Sequence, residues 1–241
     1  MIKKLEKPPI KEVVIGIKFS KKIFDLDYFE NIYNNSFKKE YPQKENTVRI
    51  NITQNKFKET YTKAEQTGIR IKDIENNSDI ILEVDRIALI KKEPYYQKGG
   101  DELIEEFLKI LCILKDKVSY KAIEDFGLKY VNFIQIEKGQ QSEFFTIKET
   151  LNTKNTDLKT DNFVEKYVLK NETQMAIINL SKKPNRNLID IIFDIDVHTY
   201  NFIKDQDDIL KNFKVLRKLK NKIFFNNFPK ATEMEEFKND R

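Results

Sequence analysis

Apolar, β-branched residues dominate 10–19 (IKEVVIGIKF), between Pro8-Pro9 and Ser20, so the pattern predicts a β-strand. Over 25–37 the period changes. Asp25 stands as a candidate N-cap, and Leu26, Phe29, Ile32 and Tyr33 recur at helical spacing. Strand patterns return at 47–53, 67–74 and 79–91, with 55–66 read as an extension of one of them. Pro94 and Gly99-Gly100 break the chain over 92–100. The segment 101–118 (DELIEEFLKILCILKDKV) predicts a helix with acids in its first turn and lysines in its last, as the helix dipole favours. It is apolar nearly all round, which predicts burial, with Cys112 as a small buried hydrophobe.

The second half follows the same order. Strand patterns cover 127–136, 163–170, 173–182 and 188–198; helical patterns cover 142–151 and 205–228; 152–162 is a polar loop. DIILEVDR at 79–86 and DIIFDIDV at 190–197 share their spacing of acids and apolar residues, and each precedes a helix. These observations predict an α+β fold of two similar β-α-β-β-β-α halves, 1–120 and 121–241, with antiparallel sheets and helices packed on one face. Two unrelated α+β segments remain the alternative. The predicted topology resembles, by analogy, the duplicated saddle of the TATA-box-binding protein, in which cations on the sheet face grip DNA. Here the polar strand faces carry acids, so any nucleic-acid contact is expected on the helix side.

Composition narrows the chemistry. The chain has 241 residues with 44 Lys+Arg against 39 Asp+Glu, a net charge of +5. Its 18 Phe and 10 Tyr supply the apolar area a core needs. One Cys (Cys112) and one His (His198) exclude an internal disulfide and a Cys/His zinc cluster, and any nucleophilic triad would depend on His198 alone. No Gly-rich phosphate loop occurs. No apolar run is long enough to span a bilayer, and the start (MIKKLEKPP) has no hydrophobic signal core, so a cytoplasmic protein without membrane attachment is expected.

The segments PPIKEVVIGIKF (8–19), GLKYVN (127–132), DID (194–196) and LRKLKNKIFFNNF (216–228), in that order, resemble a sporadically distributed bacterial protein family without an assigned activity. Lys129 stands where that family more often has Arg, which removes a bidentate contact from that position. The family's patchy distribution implies mobile or defence-related gene neighbourhoods.

Three candidate sites follow. Between Lys211 and Lys222 there are six cations and no acid, a window of +6 in a chain of +5, leaving −1 elsewhere. On a helix Lys211, Lys214, Lys218 and Lys222 share one arc, with Arg217 nearby and Ile209, Phe213, Leu216, Leu219 and Ile223 opposite. This points to nucleic-acid binding, with Phe224, Phe225 and Phe228 available for stacking or for a partner groove if exposed; the alternative is a solvated face in a lysine-biased sequence, with the phenylalanines in the core. The second site lies on the acidic strands. Asp190, Asp194, Asp196 and His198 share one strand face, as do Asp79, Glu83 and Asp85. The preferred reading is an exposed sheet face paired with lysines from adjacent strands, such as Lys166, Lys170 or Lys182. The alternative is an Mg²⁺ or Mn²⁺ site on Asp194 and Asp196, with His198 as an optional ligand, in a metal-dependent nuclease. The third is Tyr130 with Asn132, a buried network or part of a pocket; Glu12 on the first strand reads as an exposed position. The favoured function is a non-enzymatic binding module without a cofactor, with nucleic acid or a neighbouring gene product as partner. A protein-interaction subunit using Tyr95-Tyr96 or Phe224-Phe225 is the alternative.

Overall fold

The computed structural model describes residues 8–54, 60–93, 100–138 and 163–233. Nine strands form one antiparallel sheet: β1 (Ile10–Phe19), β2 (Gln43–Gln54), β3 (Thr60–Asp73), β4 (Ser78–Glu83), β5 (Arg86–Lys92), β6 (Ile123–Glu137), β7 (Phe163–Lys170), β8 (Gln174–Asn185) and β9 (Leu188–Thr199). Their spatial order is β2-β3-β4-β5-β1-β6-β9-β8-β7. Among the described residues three α-helices accompany them: α1 (Leu26–Ile32), α2 (Gly100–Ile113) and α3 (Gln206–Asn227). The fold class is therefore α+β, with one continuous sheet where two were expected.

Strand alternation builds the core. On β6, Phe126, Leu128, Tyr130, Asn132 and Ile134 are buried on one face; on β9, Ile191, Phe193, Ile195 and Val197 continue that face. α3 lies against it. Phe193 meets Phe224 and Phe228 at ring distances of 6.4 and 5.3 Å, and each buried ring contributes about 1.5–3 kcal/mol. α2 presents Leu103, Ile104, Phe107, Ile110 and Leu111 to the core, and Leu114 just past its end joins them.

The helix ends follow their caps. Asp25 accepts from the Tyr28 amide at 2.7 Å and starts α1, which continues into a single π-helical turn over Tyr33–Phe37. Asp205 accepts from the Asp208 amide at 3.0 Å, while Asp208 reaches back to the Lys204 amide at 2.9 Å, so α3 starts within a residue of the expected 205.

The centre of the sheet is a pair of glycines. Gly16 and Gly127 face each other where β1 meets β6. From that pair Gly16-Ile17-Lys18-Phe19 and Gly127-Leu128-Lys129-Tyr130 run in opposite directions, two tetrapeptides that share Gly and Lys and exchange Ile for Leu and Phe for Tyr. Outward from it, β1 is followed by β5 and β4, and β6 by β9 and β8.

Several expectations change. The run 79–91 is a hairpin, β4 and β5, turning at Val84-Asp85 without a Gly, Asn or Pro to mark it. The first half accordingly has four strands after α1, not three. The 79–86 segment spans β4 and its turn, whereas 190–197 lies within β9; strand order sets β9 against β5, so that match does not join corresponding positions. Asp85 sits in the turn and leaves the strand face shared by Asp79 and Glu83. α2 ends at Ile113, and Cys112 is exposed: the stripe from Leu103 to Leu114 already fills the core side. The expected helix at 142–151, the loop at 152–162 and Tyr95-Tyr96 lie outside the described residues.

Candidate polyanion-binding surface

α3 sorts its cations by angle. Successive residues turn by about 100°, which puts Lys211, Lys214, Lys218 and Lys222 on one arc, and all four are exposed. No carboxylate among the described residues forms an ion pair with them. The row rises about 16 Å along the helix, and Asp207 closes its N-terminal end. Val215 is 39% exposed beside it.

The other two cations of the window leave the row. Arg217 is half-buried and pairs with Asp101 of α2 at 3.2 Å, so it fastens two helices rather than extending the basic face. Lys220 turns inward over the Tyr130 ring, 4.0 Å from its centre. Burial, and secondarily the charge of Arg217, pushes its amine down from 10.5 to about 7. Lys220 carried no sequence signal beyond its place on the helix; its angle, opposite Lys211, was the clue.

The phenylalanines at the end of α3 are not a stacking platform. Phe224 and Phe228 are buried and stack on each other at 5.2 Å, and Phe225 meets Phe224 edge-on at 5.4 Å while half-buried. Packing against Phe193 outweighs exposure because each ring removes large apolar area from water.

Tyr130 and Asn132 are both 2% exposed. The Asn132 amide donates to the Phe193 main-chain oxygen at 2.8 Å, so this pair belongs to the core network.

The opposite sheet face carries the acids, and they are paired. Lys129 binds Asp194 at 3.0 Å, and Asn179 donates to the same carboxylate oxygen at 3.1 Å. Arg70 and Lys92 both hold Asp79. Gln135 and Asn185 donate to Asp190 at 2.8 and 3.0 Å. The cations on these acids are Lys129, Arg70 and Lys92, and Asp79 and Asp194 are buried where an exposed face was expected. Glu12 on β1 is half-buried.

His198 sits between two carboxylates. Its Nδ1 lies 2.9 Å from Asp125 Oδ2, and its Nε2 is 3.0 Å from Asp196 Oδ1 as an ion pair rather than an aligned hydrogen bond. Burial lowers the imidazole's proton affinity, but the hydrogen bonds and charges of Asp125 and Asp196 outweigh it, and the pKa rises from 6.5 to about 10. An imidazolium is no metal ligand, because both ring nitrogens carry protons. Among the described residues no group of three His, Cys, Asp or Glu is arranged to hold a metal. Asp125 was missed from sequence because it lies on another strand, 73 residues from His198.

No described helix is long and apolar enough to cross a membrane. Neither a family model nor a curated protein matches the chain.

Proposed function

We propose that this chain is a non-catalytic binding module that grips nucleic acid through Lys211, Lys214, Lys218 and Lys222 of α3. One observation carries the reading: four exposed lysines, without ion-pair partners among the described residues, line one helix face, while Asp79 and Asp194 of the strands are paired with Arg70, Lys92 and Lys129. Such a row can displace counterions from successive phosphates, which gives affinity without reading sequence. Arg217 is set aside from the contact surface because Asp101 holds it.

The proposal includes membership of the bacterial family whose ordered segments the chain resembles, and a mobile or defence-type setting. In support, three of those segments fall on the adjoining strands β1, β6 and β9. It also includes descent from a duplicated unit with its helices on one sheet face. The facing Gly16-Ile17-Lys18-Phe19 and Gly127-Leu128-Lys129-Tyr130 tetrapeptides support this better than the acidic strands do.

A gel-shift titration with duplex and single-stranded oligonucleotides at low salt tests the function. Binding that weakens with added salt, and is weaker in Lys214→Glu with Lys218→Glu, supports it. No binding at low salt, or binding unchanged by the double substitution, removes it.

A further inference from the structure

The β2–β3 hairpin runs past the sheet that holds it. β4 pairs with β3 only over residues 68–73, while β2 and β3 stay paired from Val48 opposite Gln66 to Gln54 opposite Thr60. The result is a two-stranded arm about 20 Å long. One face carries Val48, Ile50 and Ile52, exposed at 55, 63 and 70%. The other face carries Arg49 and Glu65, which tie the arm to the body: Arg49 to Asp85 at 3.5 Å and Glu65 to Lys22 at 3.6 Å. The arm is therefore held with its polar face inward and its β-branched face outward, the reverse of a solvated strand.

An isolated two-stranded ribbon is marginal in water. β2 is also an end strand, so its outer backbone edge has no strand beside it among the described residues. Free charges usually guard such an edge. Here Lys44, Glu45 and Arg49 are each tied down, to Glu30, Lys72 and Asp85.

We propose that β2 pairs antiparallel with β2 of a second copy of this chain, about a two-fold axis at Ile50. The strand is self-complementary in that register. Ile50 meets its own copy, Val48 meets Ile52, and Arg49 meets Asn51, so no charge faces its like. β7, at the other end of the sheet, is not self-complementary: centred on Tyr167 it would set Lys166 against Val168 and Glu165 against Leu169. The identity of the occupant thus comes from the match of β2 with itself, not from exposure alone.

Sedimentation from about 1 to about 100 µM protein tests this, a range suited to a small interface. The wild type goes from monomer to dimer, and Ile50→Lys, which puts two like charges on the axis, stays monomeric with an unchanged circular dichroism spectrum. Facing residues have Cα atoms about 4.5–5.5 Å apart, within disulfide reach. Ile50→Cys in a Cys112→Ser background therefore forms a disulfide-linked dimer on mild oxidation, and Val164→Cys in the same background does not. A wild type that stays monomeric throughout, a dimer that survives Ile50→Lys, or an Ile50→Cys variant that fails to cross-link overturns the proposal.

Discussion

Gly127 and His198 face each other across β6 and β9, and the imidazole occupies the space a side chain on Gly127 would take. A Cβ there would lie 3.0 Å from Nδ1 and 3.1 Å from Cε1 of the ring. The glycine thus sets the position from which His198 reaches both Asp125 and Asp196.

Gly127→Ala is expected to displace the ring and lower stability by about 1–3 kcal/mol, the range for overpacking a close contact. Urea unfolding checks this. Because the neighbour is a buried ring held on both sides, it has little room to give. An unchanged midpoint would show that the imidazole moves freely.

His198 makes stability depend on pH with a definite sign. Its folded pKa, about 10, exceeds the unfolded value of 6.5, so the folded state holds the extra proton between them. The stabilisation is complete below about 6.5 and fades as pH rises through about 10. His198→Gln should be less stable than wild type at pH 6, with the gap closing toward pH 10. An NMR titration should find the ring still protonated at pH 8.

Lys220 works in the opposite direction. Its amine is pushed down from 10.5 to about 7, so the unfolded chain binds the extra proton across that interval and stability rises with pH through it. Lys220→Met should be more stable than wild type below about pH 7, with the advantage fading toward pH 10.5. The approach to Tyr130, which favours the charged amine, limits the gain. Thermal melts of both proteins across pH check the sign.

Local pattern made much of this fold legible. β1 and β7 keep the bounds expected for them, and Asp25, the expected N-cap, starts its helix. The lysine row was readable because helical periodicity fixes which side chains share an arc. What sequence hid was of two kinds. Turns without a marker residue were invisible, as at Val84-Asp85, where an apolar run conceals a hairpin. Partners distant in sequence were also invisible: Asp125 for His198, Asp101 for Arg217, and Tyr130 for Lys220. Sequence left the phenylalanines at the end of α3 open between a stacking surface and the core, and Phe193, on β9, draws Phe224 and Phe228 into the core. The Gly16/Gly127 repeat was present in the sequence, yet only antiparallel pairing gives the two glycines their shared position.

The central claim is that the exposed lysines of α3 bind phosphates. The most direct measurement is the salt dependence of duplex DNA binding, by fluorescence anisotropy, for wild type and for Lys214→Glu with Lys218→Glu. If each lysine neutralises one phosphate, the slope of log affinity against log salt becomes shallower by about 1.8 in the double variant, at about 0.9 for each phosphate no longer neutralised. A slope identical in the two proteins, or an affinity in the wild type that does not respond to salt, would contradict the account.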